Sequence, residues 1–253
     1  MNRLSRRRFL RHLLTGSAVL LSGCDRLSKS RWFTDMLTSA ESLNRTLHHG
    51  LAGADSMARE YTEAELSPQF PSNGTRFPGT PEYQPLIMNG FRDWRLEVSG
   101  AAVRPTALSL EELRALPART QITRHDCVEG WSAIAKWKGA RLGALLDLVQ
   151  PTPTARFVVF FCYDSLDPRG DRYYESIDLE DAYHPQTILA YDWNDQRLPV
   201  RYGAPLRLRV ERQLGYKMAK YIRAIEVVER LDGIGGGRGG YWEDRGYAWY
   251  AGI

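Results

Sequence analysis

The sequence predicts an α+β fold, on three observations. Short runs rich in β-branched and aromatic residues recur along the body of the chain. The helix signals between them are few and brief. Strands and helices do not alternate in the regular order that a parallel doubly wound sheet needs. The 253 residues are 43% hydrophobic, enough for a sizeable core.

In order along the chain, WFTDMLTSAESLNRTL sets Phe33, Leu37, Leu43 and Leu47 at near-helical spacing. SPQFPSNGTRFPGTPEYQP is dense in Pro, Gly and Ser and reads as an extended loop that either links or wraps a binding site. The folded body begins near Phe91. WRLEVSG alternates as a strand, and SLEELRAL carries a capping box, Ser109 with Glu112, ahead of Leu110, Leu113 and Leu116, so it is a short helix. TQITRHDC is strand-like with Cys127 at its end, RLGALLDLV is helical, and RFVVFFCY is a buried strand. YYESI, TILAYDW, PLRLRV and AKYIRAIEVVE supply further strands; in PLRLRV, Leu206, Leu208 and Val210 alternate with Arg207 and Arg209. We expect Arg209, Arg212 and Arg223 on a solvated charged face. The tail holds a formal G-x-G-x-x-G at Gly235, Gly237 and Gly240, but no apolar helix or second strand follows, so a dinucleotide site is not expected there. A loop that packs Trp242, Tyr247 and Trp249 back onto the body fits better.

The N-terminus is an address. Ser5 to Leu10 spell the twin-arginine pattern S-R-R-x-F-L, and the apolar run Leu13–Leu21 is too short to span a bilayer, which takes ~20 residues. Leu21-Ser22-Gly23-Cys24 has the form of a lipobox, with Cys24 as the lipidated residue. These features predict a signal peptide over 1–23, an anchored tether and wrapping loop over 24–80 and a folded domain over 81–253, held at the periplasmic face of the inner membrane. The formal charge of +4 belongs to the address: residues 1–23 hold five arginines and no acids, which leaves 29 basic against 30 acidic side chains. Without a clustered positive footprint, nucleic acid is not an expected partner.

With Cys24 assigned to lipid, Cys127 and Cys162 remain. The stretch TRHDCVEGWSAIAKW leaves Cys127 open to a disulfide with Cys162, to a nucleophile paired with His125 or His184, or to metal ligation. Structural zinc is disfavoured, because these four residues lack paired ligand spacing.

Four segments choose among these. HDCVEGWSAIAKWKGARLGALL, YYESIDLEDAYHPQTILAY, GAPLRLRVERQLGYKMAKYIRAIEVVE and GYWEDRGYAWY resemble, in order, the sulfite-oxidase-like molybdopterin oxidoreductases. The pattern is closest to exported bacterial members such as the periplasmic methionine-sulfoxide reductase catalytic subunit, and the resemblance runs over roughly residues 91 to 250. It implies a mixed sheet with barrel-like strands and a molybdenum–molybdopterin cofactor. It implies that Cys127 gives its thiolate to the metal, that Arg207 contacts the pterin phosphate, and that Met218, Ala219 and Lys220 wrap the same cofactor, with Lys217 beside them. Two positions depart from the family pattern: Tyr202 stands where the methionine-sulfoxide reductases carry Asn, and Cys162 where they carry a cofactor-facing Thr. The upstream cofactor Asn is assigned to Asn73. Asp126, Glu129 and Trp131 are expected to orient the cysteine loop.

The expected reaction is oxygen-atom transfer, or a related two-electron step, on a small oxo substrate of the sulfite or S-/N-oxide type. A membrane or periplasmic cytochrome is the expected electron partner, and a monomer is expected. The rival reading is a non-catalytic exported lipoprotein binding module with a Cys127–Cys162 disulfide.

Overall fold

The computed structural model describes residues 30–53, 56–167 and 170–253; the segment expected to be a signal peptide, residues 1–23, and Cys24 lie outside them. The chain divides into two compact units, Met1–Leu51 and Ala52–Ile253. The first contributes helix α1, Arg31–Ala52, where the helical spacing was read. Among the described residues no helix is long and apolar enough to cross a membrane.

The second unit is built on two five-stranded sheets. In the first, β1 (Arg95–Gly100) lies between β2 (Thr106–Ser109) and β10 (Ile222–Val228), followed by β5 (Phe157–Ser165) and β6 (Arg172–Asp178). All neighbours are antiparallel except β1 and β10, which run parallel. In the second sheet β3 (Ala118–Cys127), β4 (Trp131–Arg141), β7 (Ile188–Trp193) and β8 (Gln196–Arg197) follow in order, and β9 (Arg207–Arg209) also pairs with β7. Four short helices connect them: α2 (Tyr83–Met88), α3 (Leu110–Ala115), α4 (Leu142–Val149) and α5 (Leu179–Tyr183). This is the α+β class expected.

Each element forms for local reasons. At α3 the Ser109 hydroxyl accepts from the Glu112 amide at 3.1 Å, and the Glu112 carboxylate accepts from the Ser109 amide at 2.8 Å. The Asp178 side chain caps α5 by accepting from the Asp181 amide at 2.8 Å. The main core joins Leu96 and Val98 of β1, Val158 and Phe160 of β5, and Ile225 and Val227 of β10. Leu142, Leu145, Leu146 and Val149 of α4 and Leu189 and Leu208 of the second sheet complete it. Burying each such side chain stabilises the fold by roughly 1.5–3 kcal/mol. A smaller cluster joins Phe70, Trp137, Ile188 and Tyr202 on the second sheet.

Two findings depart from the sequence reading. Strand β4 was not assigned, because WSAIAKW alternates on small alanines rather than β-branched residues; Ala133, Ala135 and Trp137 are nonetheless its buried face. Arg209 is not on a solvated face: it is fully buried, with Nε donating to Glu211 Oε1 at 2.9 Å and its guanidinium 4.5 Å from the Trp137 ring centre. An internal carboxylate and an aromatic face replace water around it.

Residues 60–75 form a strap across the second sheet. Glu60 bridges to Thr123, the Ser67 amide donates to Ile134 O at 3.0 Å, and Phe70 fills the smaller cluster. The Tyr202 hydroxyl donates to Phe70 O at 2.7 Å, and the Ser72 hydroxyl to Arg201 O at 2.6 Å. The strap thereby delivers Asn73, Gly74 and Thr75 to the site.

Candidate active site

Cys127 ends β3 at the tip of the β3–β4 hairpin. The three-residue connection Val128-Glu129-Gly130 closes when the Gly130 amide donates to Cys127 O at 3.0 Å; Gly130 has φ of +88°, which a glycine adopts at no steric cost. The turn is braced by the residues expected to orient it. The Arg124 guanidinium and Ser132 hydroxyl both donate to Asp126, and Trp131 Nε1 donates to Glu129 at 3.0 Å.

Beneath the turn lies a cavity of about 170 Å³. Cys127, Glu129, Asn73, Thr75, Met218 and Lys220 line it. Asp164 and Tyr173 line it as well, and Tyr216, Trp242 and Tyr247 bring aromatic surface to it. Cys127 is 8% exposed, and burial raises its thiol above the ordinary value. Among the described residues no cluster of three metal-ligating side chains exists, so a metal here would rest on one protein sulfur and on bonds from a cofactor.

The electrostatics are cationic. Lys220 Nζ donates to the carbonyls of Asn73, at 2.6 Å, and Thr75. Burial, then the Arg207 charge, pull the Lys220 ammonium down to about 7. Arg207 is fully buried in β9, its Nη1 donating to Tyr202 O at 3.1 Å. Burial, then Arg209, lower it to about 9, so it stays charged at neutral pH. His125 shares the inward face of β3 with Cys127. Its Nδ1 faces the Arg209 Nη1 donor at 2.9 Å and Met218 Sδ at 3.2 Å, so Nδ1 accepts and the ring proton sits on Nε2. Burial and the charges of Arg209, Arg207 and Lys220 hold this imidazole neutral. Gly203 (φ +113°) lets β9 and Lys220 meet closely; a Cβ there would lie 2.9 Å from Lys220 Cβ and 3.2 Å from Arg207 Cβ.

Of the residues singled out by sequence, Cys127, Asn73, Met218 and Lys220 line the cavity together. Arg207 stands behind Lys220. Cys162 is fully buried in the main core, and Ala219 contributes its carbonyl to the Leu208 amide at 2.8 Å. The Tyr202 ring turns into the Phe70 cluster, and its backbone carbonyl, not its side chain, meets Arg207. Cys127 and Cys162 are both free thiols, against the disulfide of the rival reading. Sequence reasoning missed Asp164 and Thr75, which carry no motif, and left out His125 as a member of the site.

It also missed the buried pair of carboxylates around Lys217, which hold the tail against β6. Lys217 Nζ donates to Glu243 at 2.5 Å and to Glu175, all three essentially without exposure. Replacing Lys217 with Met strands two carboxylates, and thermal or denaturant unfolding should read a loss of about 3–5 kcal/mol. An unchanged midpoint would refute this.

The model of the "Oxidoreductase molybdopterin binding domain" family matches residues 83–232. The chain belongs to this family. As a molybdopterin oxidoreductase, it is a molybdenum-cofactor-dependent enzyme. It is 39% identical over 249 residues to "Putative protein-methionine-sulfoxide reductase subunit YedZ1" of Azospira oryzae, covering 98% of this chain and 88% of that one. It is 38% identical over 147 residues to the protein-methionine-sulfoxide reductase catalytic subunit MsrP of Xanthomonas campestris pv. campestris. That match covers 54% of this chain and 46% of the relative, so the chain spans about half the length of that protein. The sulfane dehydrogenase SoxCD of Paracoccus pantotrophus aligns over 55% of this chain and 39% of its own, with TM-score 0.49 and 20% identity.

The residues present fit the cofactor. The buried, charged Arg207 leaves Nε and Nη2 without a hydrogen-bond partner. Buried donors of that kind are costly unless an anion meets them, and a guanidinium fork suits phosphate. The Cys127 sulfur lines the cavity and offers the soft ligand that a molybdenum centre accepts.

Proposed function

We propose that the molybdopterin oxidoreductase removes an oxygen atom from an S-oxide, with thioether and water as products. The observation that carries this reading is the juxtaposition of Cys127 with an aromatic wall. Val128, Leu166, Tyr216, Trp242 and Tyr247 face the same cavity as the sulfur and suit the apolar arms of a sulfoxide better than they suit a small dianion. Two relatives named as protein-methionine-sulfoxide reductase subunits point the same way.

In this reading Cys127 gives its thiolate to the metal, and Arg207 and Lys220 hold the cofactor phosphate. Asn73, Met218 and Ala219 wrap the cofactor, Cys162 and Tyr202 shape the ground behind it, and His125, kept neutral, adds no charge beside the thiolate. When bound, the cofactor supplies two-electron exchange coupled to oxygen transfer. The protein binds and orients the substrate and excludes water around it.

The twin-arginine segment and Cys24 further support export in the folded state and lipid anchoring at the periplasmic face of the inner membrane. Residues 1–23 would act as the signal, 24–80 as tether and strap, and 81–253 as catalytic domain. The anchor would set the monomeric enzyme beside a membrane or periplasmic cytochrome that delivers electrons.

The test uses purified holoenzyme with reduced viologen. Methionine sulfoxide should oxidise the dye at a rate proportional to molybdenum content. Turnover of sulfite with an oxidised acceptor, and none of methionine sulfoxide, would overturn the assignment. Exchanging Arg6 and Arg7 for Lys should leave the protein in the cytoplasm by cell fractionation.

A further inference from the structure

Asp164 lines the cavity but is not among the groups proposed to hold the cofactor. It lies at the far end of β5, where the ladder to β6 shifts register between Phe161 and Ser165. A bulge of this kind re-aims a side chain and occurs often beside active sites. Here it turns Asp164 into the cavity that holds Cys127 and Lys220. Asp164 is 3% exposed, and its Oδ1 has no hydrogen-bond partner.

The surroundings explain why the carboxyl is not neutralised. Thr75 bonds to the other oxygen. Lys220, the cation that faces it, has its ammonium turned to the carbonyls of Asn73 and Thr75. The other titratable groups that feel Asp164 are Cys162, Tyr83, Tyr173 and Tyr221, each held in its neutral form by burial. Among the described residues no ion pair reaches it. Burial pushes the carboxyl up to about 6, with Lys220 pulling the other way. An isolated buried carboxyl near neutral poise, open on one oxygen to a substrate cavity, is the form in which acids serve in catalysis.

We propose that Asp164 is the catalytic acid of this enzyme, passing its proton to the oxygen that leaves the substrate sulfur. The proposal rests on the S-oxide reading above. In that reaction the sulfur–oxygen bond breaks, and sulfur takes up two electrons, one from each of two molecules of a reduced one-electron carrier. The released oxygen gains two protons to become water. Asp164 supplies one proton and is recharged from solvent through the cavity mouth; solvent supplies the other.

The experiment compares wild-type, Asp164→Asn and Asp164→Glu holoenzymes with methionine sulfoxide and reduced methyl viologen, per bound molybdenum, across pH. Metal and pterin content and infrared difference spectra are measured alongside. The wild type should lose rate as pH rises through about 6, as the carboxyl gives up its proton, and should show a protonated-carboxyl band that titrates in the same range. Asp164→Asn should keep its molybdenum, lack the band and lose at least about 100-fold in kcat, with that limb absent. Asp164→Glu should recover part of the rate with a displaced limb. A wild-type kcat or pH limb in Asp164→Asn overturns the proposal. So does lost cofactor with an unchanged rate per molybdenum, which makes Asp164 an anchor. Wild type that reduces no S-oxide fails the S-oxide reading instead, and the proposal falls with it.

Discussion

Cys127→Ser is expected to lose turnover by at least about 100-fold while keeping its cofactor. Residues that merely orient a metal ligand cost about 10–100-fold when removed, and a direct ligand should cost at least the upper figure. The free thiol is disfavoured as an anion, because burial raises it. It becomes a thiolate when a metal replaces its proton. A serine hydroxyl in the same 8%-exposed position is a harder donor that ionises far less readily. The cofactor should nonetheless remain, since Arg207 and Lys220, which lie on other segments, would still hold its phosphate under the proposed assignment. The variant should therefore show molybdenum near one per chain, no thiolate-to-metal absorption and an unaltered far-ultraviolet spectrum. Persistence of the wild-type absorption band in Cys127→Ser would refute the ligand assignment.

Arg207→Met is expected to do the reverse, and with a crossed signature. The side chain is fully buried, and its folded value, about 9, lies below the ordinary 12.5. A cation lowered in this way penalises the folded state at neutral pH, and the penalty is released as pH rises through the folded value. Methionine removes that penalty, so the cofactor-free variant should unfold at a higher temperature than the cofactor-free wild type. The loaded enzyme should suffer. Truncating one partner of a buried, hydrogen-bonded charge pair costs about 2–5 kcal/mol, or roughly 30- to several-thousand-fold in affinity. Calorimetry on apoprotein and loaded protein reads both halves. A destabilised apoprotein with normal cofactor content would sink the phosphate role.

The strands that carry bulky branched residues were legible in the sequence, as was the α3 cap, because each signal is local. Cys127 at the end of a polar strand was legible too, once the motif order was considered. What was not legible came from distant partners. Arg209 reads as a surface charge in PLRLRV, and only the fold brings Glu211 and Trp137 around it. Asp164 sits in a plain strand sequence, and its exposure to the cavity follows from a register shift that no local pattern announces. The Tyr202 ring was placed by Phe70, more than a hundred residues upstream, whose cluster takes the aromatic ring and leaves only a carbonyl for Arg207.

The cavity is completed from outside the segment that defines the family. The match covers residues 83–232. Yet Asn73, Gly74 and Thr75 come before it, and Trp242 and Tyr247 after it. The residues proposed to hold the cofactor thus sit, Asn73 apart, within the inherited module, whereas Gly74, Thr75, Trp242 and Tyr247 of the cavity lining are written in the margins. Margins can diverge without disturbing the module's core. Selection for a new substrate would act there first, so exchanging these flanks between relatives is the economical route to changed specificity.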